Sequence, residues 1–406
     1  MTKWICRAYQ QIMRAAEAFL PWREPLLLEG EGSALRLPER LLADGVRKPL
    51  LVTGPTLHRL GAMDGLCAAL ERAGITPILF DRVDNDPTIA NVEDAYACYR
   101  ENSCDGIIAF GGGSPMDCAK VCGARVARPN RTVQQLKGML KIRHSLPPLY
   151  AVPTTAGTGS EVTIAAVVTD EHHRKFAVGD LSLIPCVAVL DPALTVGMPP
   201  RVTAASGMDA LSHAVEAYIG HSNTKVTREN AVQAARLIFE NLETAYRDGE
   251  KLSAREAMQK AAYQAGLAFT RANVGYVHAV AHAIGGRYGI AHGAACAAAM
   301  PPVLRAYGRF AWKPLAQLAD AMGIAGENDS TEQKADRMIR SIEGMNTRLG
   351  LPLHYPQIAR EDIPVLAAQA ANEGNLFYPA PKILDQSDLA AILEELSGSD
   401  ENMENG

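Results

Sequence analysis

Between residues 48 and about 190 the chain alternates short apolar runs with stretches of helical periodicity. The runs are "PLLVTG", "ITPILFDRV", "CDGIIAFGGGS", "LYAVPTT", "IAAVVTD", "KFAVG" and "CVAVLD". Buried β-rich runs separated by helices predict βαβ units in a doubly wound parallel sheet of the Rossmann kind. After "DPALTVGMPPR" the strand pattern stops. From about residue 203 nearly everything repeats with a helical period, broken at Gly and Pro. The change sets a boundary near 195–202, with an α/β domain over 25–200 and an all-α domain over 201–396. At the start, Trp4, Ile5, Tyr9, Ile12, Met13, Ala16, Phe19 and Leu20 recur at helical spacing, not as one apolar block. This predicts a docked amphipathic helix in an extension over 1–24 and not a targeting peptide. The polar, acidic end, residues 397–406, is expected to be disordered.

Composition narrows the classes. The 406 residues are 48% apolar and 21% charged, the balance of a soluble globular protein. A net charge of −5 leaves no basic footprint for nucleic acid or an anionic membrane surface, and no apolar run approaches the length of a bilayer span. Eight cysteines are scattered with no CxxC pair, which fits reduced thiols in a cytoplasm.

Two stretches suit a nucleotide. In "IIAFGGGSPMDCAK" a buried strand runs into Gly111, Gly112, Gly113 and Ser114, and Pro115 stands where a helix would begin. Glycines let the backbone approach a phosphate, and a helix start offers free N–H groups and the positive end of a dipole. The spacing is not GxGxxG, so a plain tight turn remains the alternative. In "VPTTAGTGSEVT" hydroxyls interleave with Gly157 and Gly159, a donor-rich loop suited to sugar and phosphate oxygens, or else an exposed polar turn.

A third and a fourth stretch suit a cation. Asp209 and His213 in "GMDALSHAVEAY" are four apart, so a helix puts both on one face. His278 and His282 in "HAVAHAIGGRYGIAH" repeat that spacing, and Gly285 and Gly286 are expected to break the helix before His292. A structural Asp–His hydrogen bond would account for the first pair alone. Five such groups among small apolar residues are harder to explain as packing. Asp209, His213, His278 and His292 supply one carboxylate and three imidazoles, a metal-ligand set, with His282 one turn along.

Together, "GGGSPMDCAK", "PTTAGTGSEVT", "LDPALTVGMPPRVTAASGMDALSHAVEAY" and "HAVAHAIGGRYGIAHG" resemble the iron-containing (group III) alcohol dehydrogenases over roughly residues 25 to 395. The resemblance implies a dehydroquinate synthase-like fold: an N-terminal Rossmann-like dinucleotide-binding domain, an all-α metal-binding domain and a divalent metal in the cleft between them. It assigns the metal to Asp209, His213, His278 and His292 and a catalytic, second-sphere role near the nicotinamide to His282. Gly111 to Ser114 would hold the pyrophosphate with Asp117 beside them. Thr154, Thr155, Thr158 and Ser160 would line the cofactor, Lys175 would contact the nicotinamide ribose, and Phe269 would face the substrate. Iron is the expected ion, and zinc tolerates the same ligands. Relatives imply a homodimer or larger homo-oligomer.

The family pattern is departed from at two positions. NAD-specific members carry Asp at the end of the first strand of this sheet, where this chain has Gly54; with His58 and Arg59 downstream, NADP is favoured slightly over NAD. Some diol-specific members carry Asn where this chain has Ala165, so simple or longer aliphatic alcohols and aldehydes are expected over a small diol. The function expected is hydride transfer between a nicotinamide and a small primary alcohol or aldehyde. The nearer alternatives are a maleylacetate reductase or a glycerol dehydrogenase-like enzyme. The remoter ones are a dehydroquinate synthase-like lyase, which needs more basic residues than Arg271 and Arg287, and a scaffold that has lost its chemistry.

Overall fold

The computed structural model describes residues 3–17, 19–172 and 174–398. Most of the expected acidic tail, from residue 399 on, lies outside them; Ser397, assigned to that tail, instead ends a helix and is buried.

The described chain divides into two compact units. One comprises Pro21–Met198 with Glu250–Tyr263, and the other holds Pro199–Gly249, the residues before Pro21 and those from Gln264 on. The division falls inside the helix Leu252–Ala272.

The first unit is built on nine strands: β1 (Leu26–Glu29), β2 (Pro49–Val52), β3 (Ile78–Phe80), β4 (Gly106–Gly111), β5 (Gly138–Met139), β6 (Leu149–Pro153), β7 (Ala165–Thr169), β8 (Lys175–Gly179) and β9 (Val187–Leu190). Six form a parallel sheet in the order β1-β9-β6-β4-β2-β3, and β5-β8-β7 form a smaller one. Two strands, β1 and β5, were not marked by the sequence pattern. The main sheet is buried on both faces, as parallel sheets are. Leu50 and Val52, Ile107 and Ala109, and Leu149 and Ala151 face one core, with Val92 and Met116 from covering helices. Leu51, Ile108 and Phe110, and Tyr150 and Val152 face the other, with Leu41, Leu66 and Leu70. That two-sided burial is why these strands read as unbroken apolar runs.

In the second unit no strand is found among the described residues. Its helices include Pro200–Ile219, Lys225–Arg247, Tyr276–Tyr288, His292–Tyr307, Thr331–Arg348, Ile363–Phe377 and Gln386–Ser397. Gly285 and Gly286 do not break the histidine helix as expected. It runs through both and stops at Gly289, whose φ of +66° is left-handed backbone that glycine adopts without strain.

The N-terminal helix Lys3–Glu17 is docked, but not by its apolar stripe. Trp4 and Ile12 are 71% and 67% exposed, and the buried positions are Cys6 and Gln10. Gln10 donates to the carbonyls of Asn375 and Tyr378, and Arg7 donates to that of Pro381. Polar anchors seat this helix, its side chains donating to main-chain carbonyls of the C-terminal segment.

Candidate active site

Three loops leave the carboxyl ends of adjacent parallel strands, the edge where open α/β sheets bind their ligands. Gly54 follows β2, Gly112–Ser114 follow β4, which Gly111 ends, and Thr154–Ser160 follow β6. Gly111 has φ +145°, and a Cβ there would meet Pro115 Cγ at 2.7 Å. Cβ atoms on Gly112 and Gly113 would press on Thr155 at 3.2 Å and Thr158 at 3.0 Å, so the hydroxyl loop lies directly against the glycine loop. Helix Gly113–Ala127 starts there, and its first N–H groups have no intrahelical acceptor.

Asp117 and Lys120 act beneath these loops. Asp117 accepts from Ser160 Oγ at 3.1 Å and from the Val167 N–H at 3.0 Å. Burial pushes its carboxyl up to about 6, against the opposing charge of Lys120. It tethers the hydroxyl loop to β7, whereas the sequence placed it beside a pyrophosphate. Lys120, 1% exposed, donates to the Thr163 carbonyl and hydroxyl at 2.9 Å and to the Ala165 carbonyl at 3.0 Å. Glu161 is buried nearby, and desolvation pushes it up to about 7. Thr154 donates its N–H to the Gly111 carbonyl at 3.0 Å, Thr158 Oγ1 accepts the Ser160 N–H at 3.3 Å, and Ser114 Oγ donates to the Asn85 carbonyl. Lys175, on β8, pairs with Asp86 at 2.7 Å.

At the end of β2 the sequence showed no carboxylate, with His58 and Arg59 just downstream. The structure supplies a carboxylate from the neighbouring strand: Asp81, directly after β3, takes a hydrogen bond from His58 Nδ1 at 2.5 Å. His58 is therefore committed, and the preference for NADP loses one of its two supports.

The second cluster lies within the helical unit. Asp209 and His213 share a face of Pro200–Ile219, and Glu216 extends it one more turn. His278 and His282 share a face of Tyr276–Tyr288, and His292 opens the next helix. Gly293 makes the closeness possible: a Cβ there would sit 2.2 Å from the Ala205 carbonyl and 3.3 Å from Asp209 Cβ. His292 Nε2 and His278 Nε2 lie 3.3 and 3.8 Å from Asp209 Oδ1. The four atoms within 4.8 Å of one another come from Asp209, His278, His292 and Cys296. His213 is not among them. Its ring is stacked between Phe269, at 4.0 Å between centroids, and His278, at 4.5 Å. Phe269, read as a substrate-facing residue, thus packs on a histidine. Ala165, the other pocket position, belongs to the α/β unit as the first residue of β7.

A divalent cation fits this donor set. Asp209 Oδ1, His213 Nδ1 and His278 Nε2 are buried and have no hydrogen-bond partner. Buried polar atoms are rarely left so without cause. Burial pushes His213 and His278 down to about 3, leaving neutral imidazoles that can donate lone pairs.

Two glutamates missed in the sequence hold histidines in place. Glu216, buried, accepts from His278 Nδ1 at 2.6 Å and from the Val277 N–H at 2.8 Å. That fixes the His278 tautomer with its Nε2 lone pair toward Asp209. Gly275 has no room for a side chain because a Cβ would meet Glu216 Oε1 at 2.6 Å. Glu373 accepts from His282 Nδ1 at 2.7 Å and also from the Tyr378 hydroxyl. His282 stacks on His292 with ring centroids 5.1 Å apart.

Comparison with known proteins agrees with this geometry. Residues 25–192 match the family described as iron-containing alcohol dehydrogenase, and residues 203–397 match the C-terminal domain of the same family. The chain is 40% identical to a 1,3-propanediol dehydrogenase of Klebsiella pneumoniae over 363 residues, 88% of this chain and 93% of that protein. It is 36% identical to an NAD-dependent methanol dehydrogenase of Bacillus methanolicus over 380 residues, covering 93% and 98%. A crystal structure of a 1,3-propanediol oxidoreductase superposes with a TM-score of 0.90 at 38% identity, covering 93% of this chain and all of that one. Both halves of the chain are matched, in order, across the nucleotide loops and the histidine helices: it is an oxidoreductase that belongs to the iron-containing alcohol dehydrogenase family.

Proposed function

We propose that this enzyme moves a hydride between a nicotinamide dinucleotide, NAD or NADP, and a small primary alcohol or aldehyde. Asp209, His213, His278 and His292 are the residues we assign to a divalent cation, iron first and zinc second. The observation that carries the reading is the trio of buried, unpartnered polar atoms on Asp209, His213 and His278. A bound cation would supply Lewis-acid polarisation of the substrate oxygen, and the nicotinamide would accept or donate the hydride.

The chain's own contribution is position and proton handling. Gly111–Ser114 offer unpaired helix-start N–H groups for phosphate, and the hydroxyls of Thr154, Thr155, Thr158 and Ser160 offer donors to the cofactor. Lys120 and Asp117 hold those loops from beneath. His282 keeps its Nδ1 proton on Glu373, which frees Nε2 to accept or release a proton during turnover. Ala165, with no amide, leaves its position apolar, which favours simple aliphatic substrates over a small diol.

We further infer a cytoplasmic enzyme working as a homodimer or larger homo-oligomer. All eight cysteines are free thiols, as a reducing compartment keeps them. No helix among the described residues is long and apolar enough to cross a membrane. The test of the function is a panel of alcohols and aldehydes assayed with both nicotinamides, with metal content measured on the same preparation. Turnover of primary alcohols that tracks metal occupancy supports the reading, and a metal-loaded protein inert toward the whole panel contradicts it.

A further inference from the structure

From Cys118 to Ser160 the chain carries no Asp or Glu but seven Lys or Arg, although acids outnumber bases 45 to 40 overall. Four of the seven, Arg128, Arg131, Lys141 and Arg143, line one open pocket of about 880 Å³ whose wall holds no carboxylate and no aromatic ring. Two buried charged residues build that wall. Arg125, 8% exposed and paired with Glu93 at 2.8 Å, donates through Nη1 to the carbonyls of Arg128, Pro129 and Arg131. Asp180, 4% exposed, accepts the N–H groups of Ile142 at 3.0 Å and Arg143 at 3.1 Å with one oxygen, and Ser182 occupies the other. The pocket's own cations then stitch the two loops together. Arg128 donates to the Ile142 carbonyl at 2.5 Å, Arg131 to that of Lys141 at 3.4 Å, and Arg143 to that of Leu140 at 2.7 Å. These carbonyls fix three guanidinium groups and neutralise none of them. Among the described residues no carboxylate side chain forms an ion pair with any of the four cations. Like charges gathered in this way repel one another. Leu140 and Arg143 also hold left-handed φ of +54° and +52°, which residues with side chains seldom adopt. Both features cost the fold, and a bound anion would offset the first.

We infer that this pocket binds a small polyanion with two or more phosphoryl groups, at a site separate from the glycine loop. Arg128 caps the far end of helix Gly113–Ala127, and its 15 residues put about 22 Å between that end and the glycine loop. A guanidinium presents five N–H donors in a planar fork that matches the paired oxygens of a phosphate, and each carbonyl bond here uses only part of that fork. The three anchoring carbonyls belong to successive residues, whose Cα atoms are about 3.8 Å apart, so the array is wider than one phosphoryl group. With no ring in the wall for a base to stack on, recognition runs through the phosphates alone. A free phosphate chain and the phosphate tail of a nucleotide share that chemistry.

Calorimetric titration of the full-length protein with inorganic tripolyphosphate at low salt tests this. The wild type should bind it, and binding should weaken by about tenfold or more in the triple variant Arg131→Gln, Lys141→Gln, Arg143→Gln, which removes charge-assisted hydrogen bonds at three exposed positions. Lys141→Gln alone, whose side chain anchors neither loop, should weaken it too and guards against a folding defect in the triple variant. The KM for the nicotinamide should stay unchanged in both. No binding to the wild type, or equal binding to the wild type and both variants, overturns the site. A KM that rises in step with the lost affinity overturns its separateness from the cofactor loop. Orthophosphate bound as tightly as tripolyphosphate overturns the need for several phosphoryl groups. A nucleoside triphosphate bound as tightly as tripolyphosphate supports recognition through phosphates, whereas one bound about tenfold more tightly overturns it. A single-stranded oligonucleotide bound more tightly than either makes this a nucleic-acid surface and overturns the small-polyanion reading.

Discussion

His278 gives its Nδ1 proton to Glu216 across 2.6 Å, and the same carboxylate takes the Val277 N–H at 2.8 Å. Both Glu216 oxygens are thus acceptors. Gln at this position offers only one acceptor and turns a donor toward either His278 or Val277. Partners of this kind set ligand orientation and are worth about 10–100-fold in metal affinity. Glu216→Gln is expected to weaken the cation by that factor in a chelator competition, with the helical circular dichroism unchanged. Affinity equal to the wild type would mean that Glu216 does not orient His278.

A similar pairing at His282 leads to a different outcome, because His282 lies outside the donor set. Glu373 and Tyr378 hold it from the Nδ1 side. His282→Ala is expected to keep its metal and lower kcat by about 100-fold, the low end of what a positioned acid–base group contributes. Glu373→Gln should lower kcat by about tenfold, again with full metal content by elemental analysis. Metal loss in His282→Ala would make that residue a ligand instead.

Much of this site was legible in the chain because helices convert spacing into adjacency. Asp209 with His213 and His278 with His282 each announce a shared face, and the strand-to-glycine junction at Gly111 announces a loop at a sheet edge. Glu216 and Cys296 carried the same kind of signal, seven residues after Asp209 and four after His292, and were passed over as ordinary helix content. Glu373 carried none: it meets His282 from a helix some 90 residues downstream, and only tertiary packing makes that pair. Asp81 was hidden in the same way, since its approach to His58 depends on β3 lying beside β2. The N-terminal helix misled about its docked face, because hydrogen bonds from Gln10 and Arg7 to main-chain carbonyls decide its seat, and periodicity counts only apolar positions.

Glu161 ties stability to pH. Burial is the larger cause of its shift, and the folded carboxyl titrates near 7 against 4.5 in the open chain. A carboxyl raised on folding stabilises fully below its unfolded value, and that contribution is lost as pH rises through the folded one. Asp117, raised to about 6, acts in the same direction. Between pH 4.5 and 7 the wild type is expected to lose a few kcal/mol from these groups. Glu161→Gln should flatten that slope, with Tm at pH 7.5 several degrees above the wild type. Parallel Tm-against-pH curves for the two proteins would contradict the assignment.

Cofactor choice is testable at the end of β2. Gly54 has an extended φ of −100°, which any residue adopts, and a Cβ there meets only the Val83 carbonyl at 3.3 Å. Asp is therefore accommodated with a small shift, and its charge would repel a 2′-phosphate. Gly54→Asp is expected to lower the NADP-to-NAD ratio of kcat/KM by about tenfold or more. A ratio left unmoved would show that discrimination is made elsewhere, with Asp81 the next residue to substitute.

The central claim is that a cation in the Asp209, His278 and His292 pocket is required for redox turnover. Its most direct test is alcohol-dependent reduction of the nicotinamide, measured on one preparation before chelation, after chelation and after return of Fe2+ or Zn2+, with bound metal quantified at each stage. Activity should fall to background as the metal leaves and return in proportion to the metal regained. Turnover that persists in metal-free, folded protein would contradict the account.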